Sequence, residues 1–202
     1  MIKNVVFDIG GVLLEYRWRD LLKSFGATDE EAEAVAGITF SDPAWRAMDR
    51  GEMSLDETRE YFVKTYPDHG YLLDCFLSHP EGMPVDRPAV WEKMRLVKEA
   101  GYRIYILSKY GEELFRCHVS GKEFMSYPDG VLVSYEDHVC KPDRRIYEIL
   151  VERFGLVKEE CIFFDDMLEN VEIAIGFGMQ SVQILSQQVI LDELDRLLEG
   201  KR

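Results

Sequence analysis

The sequence predicts an α/β fold, a doubly wound parallel sheet with a small helical cap inserted after the first strand. Two observations support this prediction. Short apolar runs alternate with stretches of helical spacing, and one long segment between the first and second runs contains helical patterns alone. With 202 residues, of which 47% are hydrophobic, the chain is long enough to bury the core of one domain with an insertion.

The predicted core strands are short, apolar and rich in β-branched or aromatic residues, which is typical of buried parallel strands. They cover residues 5–8, 103–107, 131–134, 162–164 and 181–185. Helical patterns separate them: Val90, Met94 and Val97 recur at helix spacing before the second strand. In "KPDRRIYEILVERFG", Pro142 is expected in the first turn of a helix and Gly155 at its end. This alternation predicts ligand binding at the carboxyl ends of the strands.

The segment 16–83 is predicted to be the cap, because it contains acidic helical stretches such as "TDEEAEAVAG" and "SLDETREYFVKTY". In the second stretch, Ser54 and Glu57 have the spacing of a capping box. The linker "SHPEGMPVDRP" then marks the return to the core. We therefore predict an α/β core of residues 1–15 and 84–202 and a helical cap of residues 16–83.

Composition excludes several classes of function. The chain has 24 Lys and Arg against 38 Asp and Glu, and its net charge of -14 would repel nucleic acid and anionic membranes. The four cysteines have no CxxC spacing, which favours reduced thiols over disulfides or structural zinc. We expect a cytoplasmic protein, without nucleic-acid or membrane partners, that is a monomer or a homodimer.

Polar residues follow the predicted strands. Asp8 ends the first strand, before the flexible pair Gly10 and Gly11, and Ser108 ends the second strand. If these strands are adjacent, both side chains reach the same ligand crevice, where a hydroxyl and a backbone N–H can hold a phosphoryl oxygen. Taken singly, Asp8 would be read as a solvated acid and Ser108 as a turn or cap residue.

Four further polar positions follow in the chain. Lys141 opens the predicted "KPDRRIY" helix, where an ammonium can neutralise a phosphate, although such a lysine is often a surface residue. The fourth strand runs into Asp165 and Asp166, with Asn170 four residues on. Adjacent acids are costly unless a cation binds, and oxygen ligands favour Mg²⁺, while the alternative is that one acid caps the next helix. The joint order of these residues favours a phosphate-transfer site.

The quoted motifs resemble those of the haloacid dehalogenase superfamily, most of whose members are Mg²⁺-dependent phosphatases that work through an aspartyl-phosphate. "FDIGGVL", "RGEMS", "LSKY", "KPDRRIY" and "FFDD…N…A" are most similar to the branch that includes the bacterial α-D-glucose-1-phosphate phosphatase and the phosphatase domain of soluble epoxide hydrolase. The resemblance covers essentially the whole chain.

The resemblance implies a role for each residue. Asp8 would be the nucleophile and a metal ligand, together with the Gly10 carbonyl and Asp166. Asp165 and Asn170 would support the metal shell. The remaining positions, Ser108, Lys109 and Lys141, would bind the phosphoryl group, although Lys109 stands where asparagine is common.

One departure concerns proton transfer. The family's usual second acid, which protonates the leaving oxygen and later activates water, is Gly10 here. Its loss typically costs about 10²- to 10⁴-fold in rate. We consider two compensations: a sugar hydroxyl as leaving group, an anomeric one being more acidic than an ordinary alcohol, or a substitute acid, Glu15 or Asp49. Each of these two acids is otherwise read as solvated.

The cap stretch "DPAWRAMDRGEMS" is expected to set substrate choice. Trp45 would pack on a sugar face, and Arg46 or Arg50 would meet a second anionic group; the alternatives are a core tryptophan and surface arginines. The histidines are scattered, and we interpret each as a polar surface or loop residue.

The sequence thus predicts a Mg²⁺-dependent phosphatase acting on a small phosphorylated metabolite, with a sugar phosphate as the leading substrate class. A non-catalytic phosphometabolite-binding or regulatory protein is the alternative. A metal-independent haloacid dehalogenase is a remote one, because such enzymes carry a tyrosine at the Gly10 position.

Overall fold

The computed structural model describes residues 1–200. Its strands, in chain order, are β1 (Asn4–Phe7), β2 (Leu14–Tyr16), β3 (Pro84–Asp86), β4 (Arg103–Ser108), β5 (Gly130–Val133), β6 (Cys161–Asp165) and β7 (Gln180–Gln183). Five of them form one parallel sheet in the order β5-β4-β1-β6-β7. The predicted doubly wound α/β fold is therefore confirmed.

Eleven α-helices belong to the described part of the chain. They are α1 (Trp18–Ser24), α2 (Asp29–Ser41), α3 (Pro43–Asp49), α4 (Leu55–Thr65), α5 (Gly70–Ser78), α6 (Pro88–Glu99), α7 (Glu112–Val119), α8 (Ser134–Asp137), α9 (Arg144–Phe154), α10 (Leu168–Phe177) and α11 (Gln187–Leu198). Within residues 1–200, no helix is both long and apolar enough to cross a membrane.

Helices cover both faces of the sheet because successive strand residues point to opposite sides. In β1, Val5 packs in the cluster that includes Val90 of α6 and Leu194 of α11. Its neighbour Val6 packs in the other cluster, with Tyr147 of α9 and others. All four residues of β1 are buried, so the strand lies at the centre of a three-layer core.

The antiparallel strands β2 and β3 carry the chain out of the core and back. We call the chain between them, helices α1 to α5 with their connections, the helical insertion. It has its own apolar cluster, which includes Leu22, Phe62 and Phe76. The boundaries 16 and 83 of a separate cap domain stay a prediction.

Local signals explain several helix ends. Ser54 accepts a hydrogen bond from the Glu57 N–H while the Glu57 carboxylate accepts one from the Ser54 N–H, so α4 begins with the predicted capping box. Gly155 ends α9 with a φ of 60°, a left-handed conformation that glycine adopts without steric cost.

The start of α9 differs from its prediction. Lys141 does not open the helix, and Pro142 does not lie in its first turn, because the helix begins at Arg144. The Asp143 side chain caps it by accepting a hydrogen bond from the Arg145 N–H at 2.8 Å. Helical backbone is disfavoured before a proline, so Lys141 lies in the preceding loop.

Candidate active site

Asp8 follows β1 directly and is 7% exposed. Its Oδ1 accepts hydrogen bonds from the backbone N–H of Ile9 at 2.7 Å and from the hydroxyl of Ser108 at 2.6 Å. Since β1 and β4 are adjacent parallel strands, their carboxyl ends meet at the same edge of the sheet. The structure therefore places Asp8 and Ser108 in contact at the edge of the sheet where the sequence predicts the ligand crevice.

Lys141 lies between two carboxylates. Its Nζ is 2.9 Å from Asp8 Oδ2 and 2.6 Å from Asp165 Oδ2, and its side chain is 1% exposed. Burial alone would lower the pKa of Lys141, but the charges of Asp165 and Asp8 outweigh it and raise the pKa above its ordinary value. The lysine is therefore an ammonium group, and it is not the surface residue considered above.

Asp165, at the end of β6, orients its neighbours. Its Oδ2 accepts from Lys141, and its Oδ1 accepts from the Met167 N–H and from Asn170 Nδ2, both at 2.8 Å. The Met167 N–H lies at the start of α10, so Asp165 satisfies a helix-start donor as well as a charge. Both of its carboxylate oxygens are occupied by protein donors.

Asp8, Asp165 and Asp166 form a carboxylate cluster in which one oxygen from each lies within 4.8 Å of the others. Burial, followed by the charges of Asp8 and Asp165, raises the pKa of Asp166 to about 7. Burial also raises the pKa of Asp8. The Lys141 ammonium balances only one of three negative charges. This oxygen-rich, under-compensated cluster is suited to a hard divalent cation.

The two glycines after β1 allow neighbouring side chains to pack closely against the backbone: Asp166 at Gly11 and Tyr16 at Gly10. At Gly11, which has a φ of 66°, a Cβ would lie 2.5 Å from Asp166 Oδ2. At Gly10, a Cβ would lie 2.8 Å from Cε2 of Tyr16. The Tyr16 ring therefore fills the space into which a side chain at position 10 would extend.

A pocket of about 600 Å³ opens above these residues. Its floor includes Asp8, Gly10, Ser108, Lys141 and Asp166, so it collects most of the predicted site residues. Asn170 and Lys109 also line it. The helical insertion supplies part of the wall, with the residues Trp18, Phe40, Trp45 and Asp49.

The two acids considered as substitutes differ in burial. Asp49, the last residue of α3, is 3% exposed, so its interpretation as a solvated acid is wrong. The Glu15 side chain is 41% exposed and pairs with Arg17 at 3.0 Å. Both line the pocket, but only Asp49 is withdrawn from water.

The arginines proposed to meet a second anion do not line the pocket. Arg46 is exposed, and Arg50 forms a bidentate pair with Glu52, with both contacts at 2.7 Å. The residue in the pocket is Arg87, which is 8% exposed and donates to the carbonyl oxygens of Gly11 and Val12. It lies in the linker before α6, where no pattern in the sequence distinguishes it.

The prediction that every histidine is a surface or loop residue is wrong for one of them. His118 is 1% exposed and lines the pocket, with ring nitrogens 3.2 Å from the Tyr110 hydroxyl and 2.9 Å from the Pro80 carbonyl. Burial lowers the pKa of His118 to about 4, so the ring is neutral. Its spacing of four residues from Leu114 on α7 was the available signal for a buried face.

Fold and site together define an α/β protein whose charged, cation-attracting centre lies at the carboxyl end of a parallel sheet. The chain belongs to the haloacid dehalogenase-like hydrolase family, whose sequence pattern matches residues 2–178. The family resemblance is thereby confirmed, and the protein is a hydrolase.

Individual relatives carry several names. The chain is 27% identical over 194 residues to phosphatase MT3486 of Mycobacterium tuberculosis, covering 89% of this chain and 86% of the relative. It is 24% identical to the D-ribitol-5-phosphate phosphatase of Bacteroides thetaiotaomicron, covering 91% and 92%. It is also 27% identical to the (S)-2-haloacid dehalogenase 4A of Burkholderia cepacia, covering 92% and 84%.

Solved structures share the fold. A HAD-like family hydrolase of Porphyromonas gingivalis superimposes with a TM-score of 0.73 at 23% identity and covers 98% of both chains. An enzyme of the same family from Bacteroides thetaiotaomicron, crystallised with magnesium and inorganic phosphate, has a TM-score of 0.67 at 21% identity, covering 91% of this chain and 94% of that one.

Proposed function

We propose that this protein is a Mg²⁺-dependent phosphatase that hydrolyses a small phosphorylated metabolite through an aspartyl-phosphate on Asp8. One observation carries the proposal: a buried carboxylate at the floor of a 600 Å³ pocket is oriented by the Ser108 hydroxyl and the Lys141 ammonium. Phosphatases among the relatives, and a family member crystallised with magnesium and phosphate, support it.

Asp8 would attack the phosphorus of the bound monoester, breaking the bond to the leaving oxygen and forming a phospho-carboxylate. Ser108 and Lys141, which contact Asp8 now, would donate hydrogen bonds to the transferring phosphoryl oxygens, and Lys109 would add positive charge at the pocket wall. Water would then attack the same phosphorus and release phosphate and free Asp8. Splitting hydrolysis into two displacements is what the carboxylate contributes.

The carboxylate cluster fits a bound Mg²⁺. Asp8, the Gly10 carbonyl and Asp166 would be its protein ligands. Asp165, whose oxygens are occupied by Lys141, Met167 and Asn170, would hold this set in place together with Asn170. When bound, the ion neutralises the charge that accumulates on the phosphoryl oxygens.

A sugar phosphate is the proposed substrate class. Trp45 lines the pocket, where its ring can pack on the apolar face of a sugar. A sugar hydroxyl, especially an anomeric one, is also a more acidic leaving group than an ordinary alcohol, which lowers the demand for an acid at position 10. Cytoplasmic location and a monomeric or homodimeric state stay predictions.

The second candidate is a non-catalytic phosphometabolite-binding protein. It is favoured by Gly10, because the family's usual acid is absent and Tyr16 fills its space. Haloacid dehalogenation stays a remote third candidate, supported by the dehalogenase among the relatives. Its metal independence does not explain the excess of negative charge around Asp8, Asp165 and Asp166.

Phosphate release from p-nitrophenyl phosphate, with and without Mg²⁺, distinguishes the candidates. A phosphatase should turn over only with Mg²⁺ and should lose about 10⁴-fold or more in kcat/KM on Asp8→Asn. Asp68→Asn, at an exposed acid in the turn Pro67–His69, is the matched control and should keep full activity. Thermal stabilisation by phosphate without turnover would instead indicate a binding protein.

A further inference from the structure

The position of the family's usual acid carries no side chain in this protein, because residue 10 is glycine. A Cβ on Gly10 would already lie 2.8 Å from the Tyr16 ring, and Tyr16 itself lines the pocket. A proton donor for the leaving group must therefore come from elsewhere in the pocket wall.

Asp49 of the helical insertion is in such a place. It lines the same pocket as Asp8 and Lys141, and its Oδ2 has no hydrogen-bond partner within residues 1–200. The nearest cation, Lys109 Nζ, is 3.9 Å from this oxygen, which is too long for a hydrogen bond. A buried carboxylate oxygen without a hydrogen bond is costly, so its presence in the pocket that contains Asp8 and Lys141 points to a use.

The end of α3 is fastened to the core, so Asp49 is held in place. The Ser134 hydroxyl, which follows β5, donates to the backbone oxygen of Asp49 at 2.6 Å. His138 Nδ1 lies 2.7 Å from the Arg50 carbonyl oxygen. Gly51 packs so closely on Tyr135 that a Cβ there would lie 2.8 Å from its carbonyl oxygen. These contacts hold an insertion residue in fixed register with the sheet.

The surroundings of Asp49 suit proton exchange near neutral pH. Burial raises the pKa of Asp49 from 3.8 to about 7, against opposing contributions from Lys109 and Arg50. A group of this pKa can be both an acid and a base at pH 7. The titratable and charged groups that face it are Lys109, Arg50, Asp8, Lys141 and Cys140.

We infer that Asp49 supplies the proton transfer that Gly10 cannot. The inference rests on the proposed phosphatase function and deepens it. As Asp8 forms its bond to phosphorus, the bond from phosphorus to the leaving oxygen breaks, and the Asp49 carboxyl gives its proton to that oxygen. In the second step water attacks phosphorus and gives a proton to the Asp49 carboxylate. Asp8 leaves as a carboxylate, and both side chains return to their starting states.

Two other pocket groups could compete for this role. Glu15 is 41% exposed, and its carboxylate is engaged in an ion pair with Arg17 at 3.0 Å. The Tyr16 hydroxyl is buried and without a hydrogen-bond partner in the described chain, but a neutral phenol is a poor base for the water step. Of these three groups, Asp49 is the one suited to both steps.

The test compares two leaving groups of similar size on the full chain with Mg²⁺. For p-nitrophenyl phosphate the leaving phenolate needs no proton, whereas for benzyl phosphate the leaving alkoxide does. We expect Asp49→Asn to lower kcat/KM about 100-fold or more for benzyl phosphate and less than about 5-fold for p-nitrophenyl phosphate. Glu15→Gln, a matched acid-to-amide change in the same pocket, and Tyr16→Phe should both leave the ratio between the substrates as in wild type.

Each outcome of this comparison supports or overturns the assignment of Asp49. Equal losses on both substrates, or an unchanged ratio in a folded Asp49→Asn protein, overturn the assignment, as does a selective loss in Glu15→Gln or Tyr16→Phe. Near-ultraviolet circular dichroism establishes that each variant is folded. If wild type itself releases no phosphate from p-nitrophenyl phosphate in a Mg²⁺- and Asp8-dependent manner, the proposed function fails, and that result is distinct from a failure of the Asp49 assignment alone.

Discussion

The floor and the wall of the pocket are built on different principles. On the floor, at the edge of the sheet, polar atoms are paired: Asp8 and Asp165 contact Lys141, and their other oxygens accept from Ser108 and Asn170 among others. On the wall, the helical insertion presents aromatic rings, with Phe40 centred 6.1 Å from Trp18 and 5.3 Å from Trp45.

This difference separates two tasks. The floor fixes charges that any phosphate monoester would meet, because Asp8 and Asp165 are buried and held by hydrogen bonds and by Lys141. Under the proposed function, the wall would contact the group attached to the phosphate. Changes on the floor should therefore impair all substrates alike, and changes on the wall should alter the preference among them.

The largest effect is expected from Lys141→Met, which removes the ammonium group between Asp8 and Asp165. Breaking a buried ion pair by removing one partner typically costs about 3 to 5 kcal/mol. We expect a loss of this size in the free energy of unfolding at pH 8 in EDTA, and loss of activity on every substrate. Urea denaturation measures the first, and an unchanged midpoint would contradict the charge balance described for the floor.

Asp49→Asn changes the one ionisable side chain that the helical insertion contributes to the pocket lining within residues 1–200. Because the folded pKa of Asp49 is raised to about 7 from 3.8, the unfolded chain releases this proton first. Stability is therefore lost as pH rises from about 4 to about 7, and the full cost is present above pH 7. We expect the variant to gain about 4 kcal/mol at pH 8, because one pKa unit corresponds to about 1.4 kcal/mol, and nothing below pH 4, where the carboxyl and the amide are both neutral and desolvated.

Urea denaturation of wild type and Asp49→Asn at several pH values measures this difference. Glu15→Gln, at a half-exposed acid, is the control and should show no comparable gain. A gain for Asp49→Asn that is equal at pH 4 and pH 8 would contradict the cause given, because it would not follow ionisation.

Trp45→Leu tests whether the wall of the pocket sets the preference among substrates. The change keeps an apolar side chain in the pocket but removes the ring that a substrate would pack on. We expect KM for a sugar phosphate to rise about tenfold, a loss of about 1.4 kcal/mol, with inhibition by inorganic phosphate unchanged. Steady-state kinetics measure both, and weaker phosphate inhibition would mean that the wall also shapes the floor.

The smallest effect is expected from Ser54→Ala, which removes the capping box of α4 in the insertion. Loss of such a cap costs about 1 kcal/mol. Ser54 does not line the pocket, so kcat/KM for p-nitrophenyl phosphate should stay at the wild-type value while the thermal midpoint falls. A change in substrate preference would show that the wall depends on the stability of the insertion.

The sequence predicts the floor better than the wall. Asp8, Ser108 and Asp165 lie at the carboxyl ends of apolar strands, which the local sequence pattern identifies. Because parallel strands end at one edge of the sheet, this pattern predicts that the three side chains lie close together. Lys141 is found from its motif, although the loop before α9 is misread as helix. Strands β2 and β3 have three residues each, too few for a periodic signal.

The wall depends on tertiary contacts that no local pattern encodes. Asp49 is followed by a polar stretch and is predicted to be solvated, but the end of α3 packs on the core, where Ser134 contacts the Asp49 backbone and His138 the Arg50 backbone. Arg87 lies in a linker of unremarkable composition. Their roles arise from long-range contacts, which spacing along the chain does not report.

The contact between Gly10 and Tyr16 bears on how this chain can evolve. An aspartate introduced at position 10 would collide with the ring, since even its Cβ would lie 2.8 Å from Cε2. Restoring the family's usual acid would therefore require the Tyr16 ring to move or to be replaced by a smaller side chain. Substitutions at positions 10 and 16 are therefore expected to have non-additive effects, because the two residues are in direct contact.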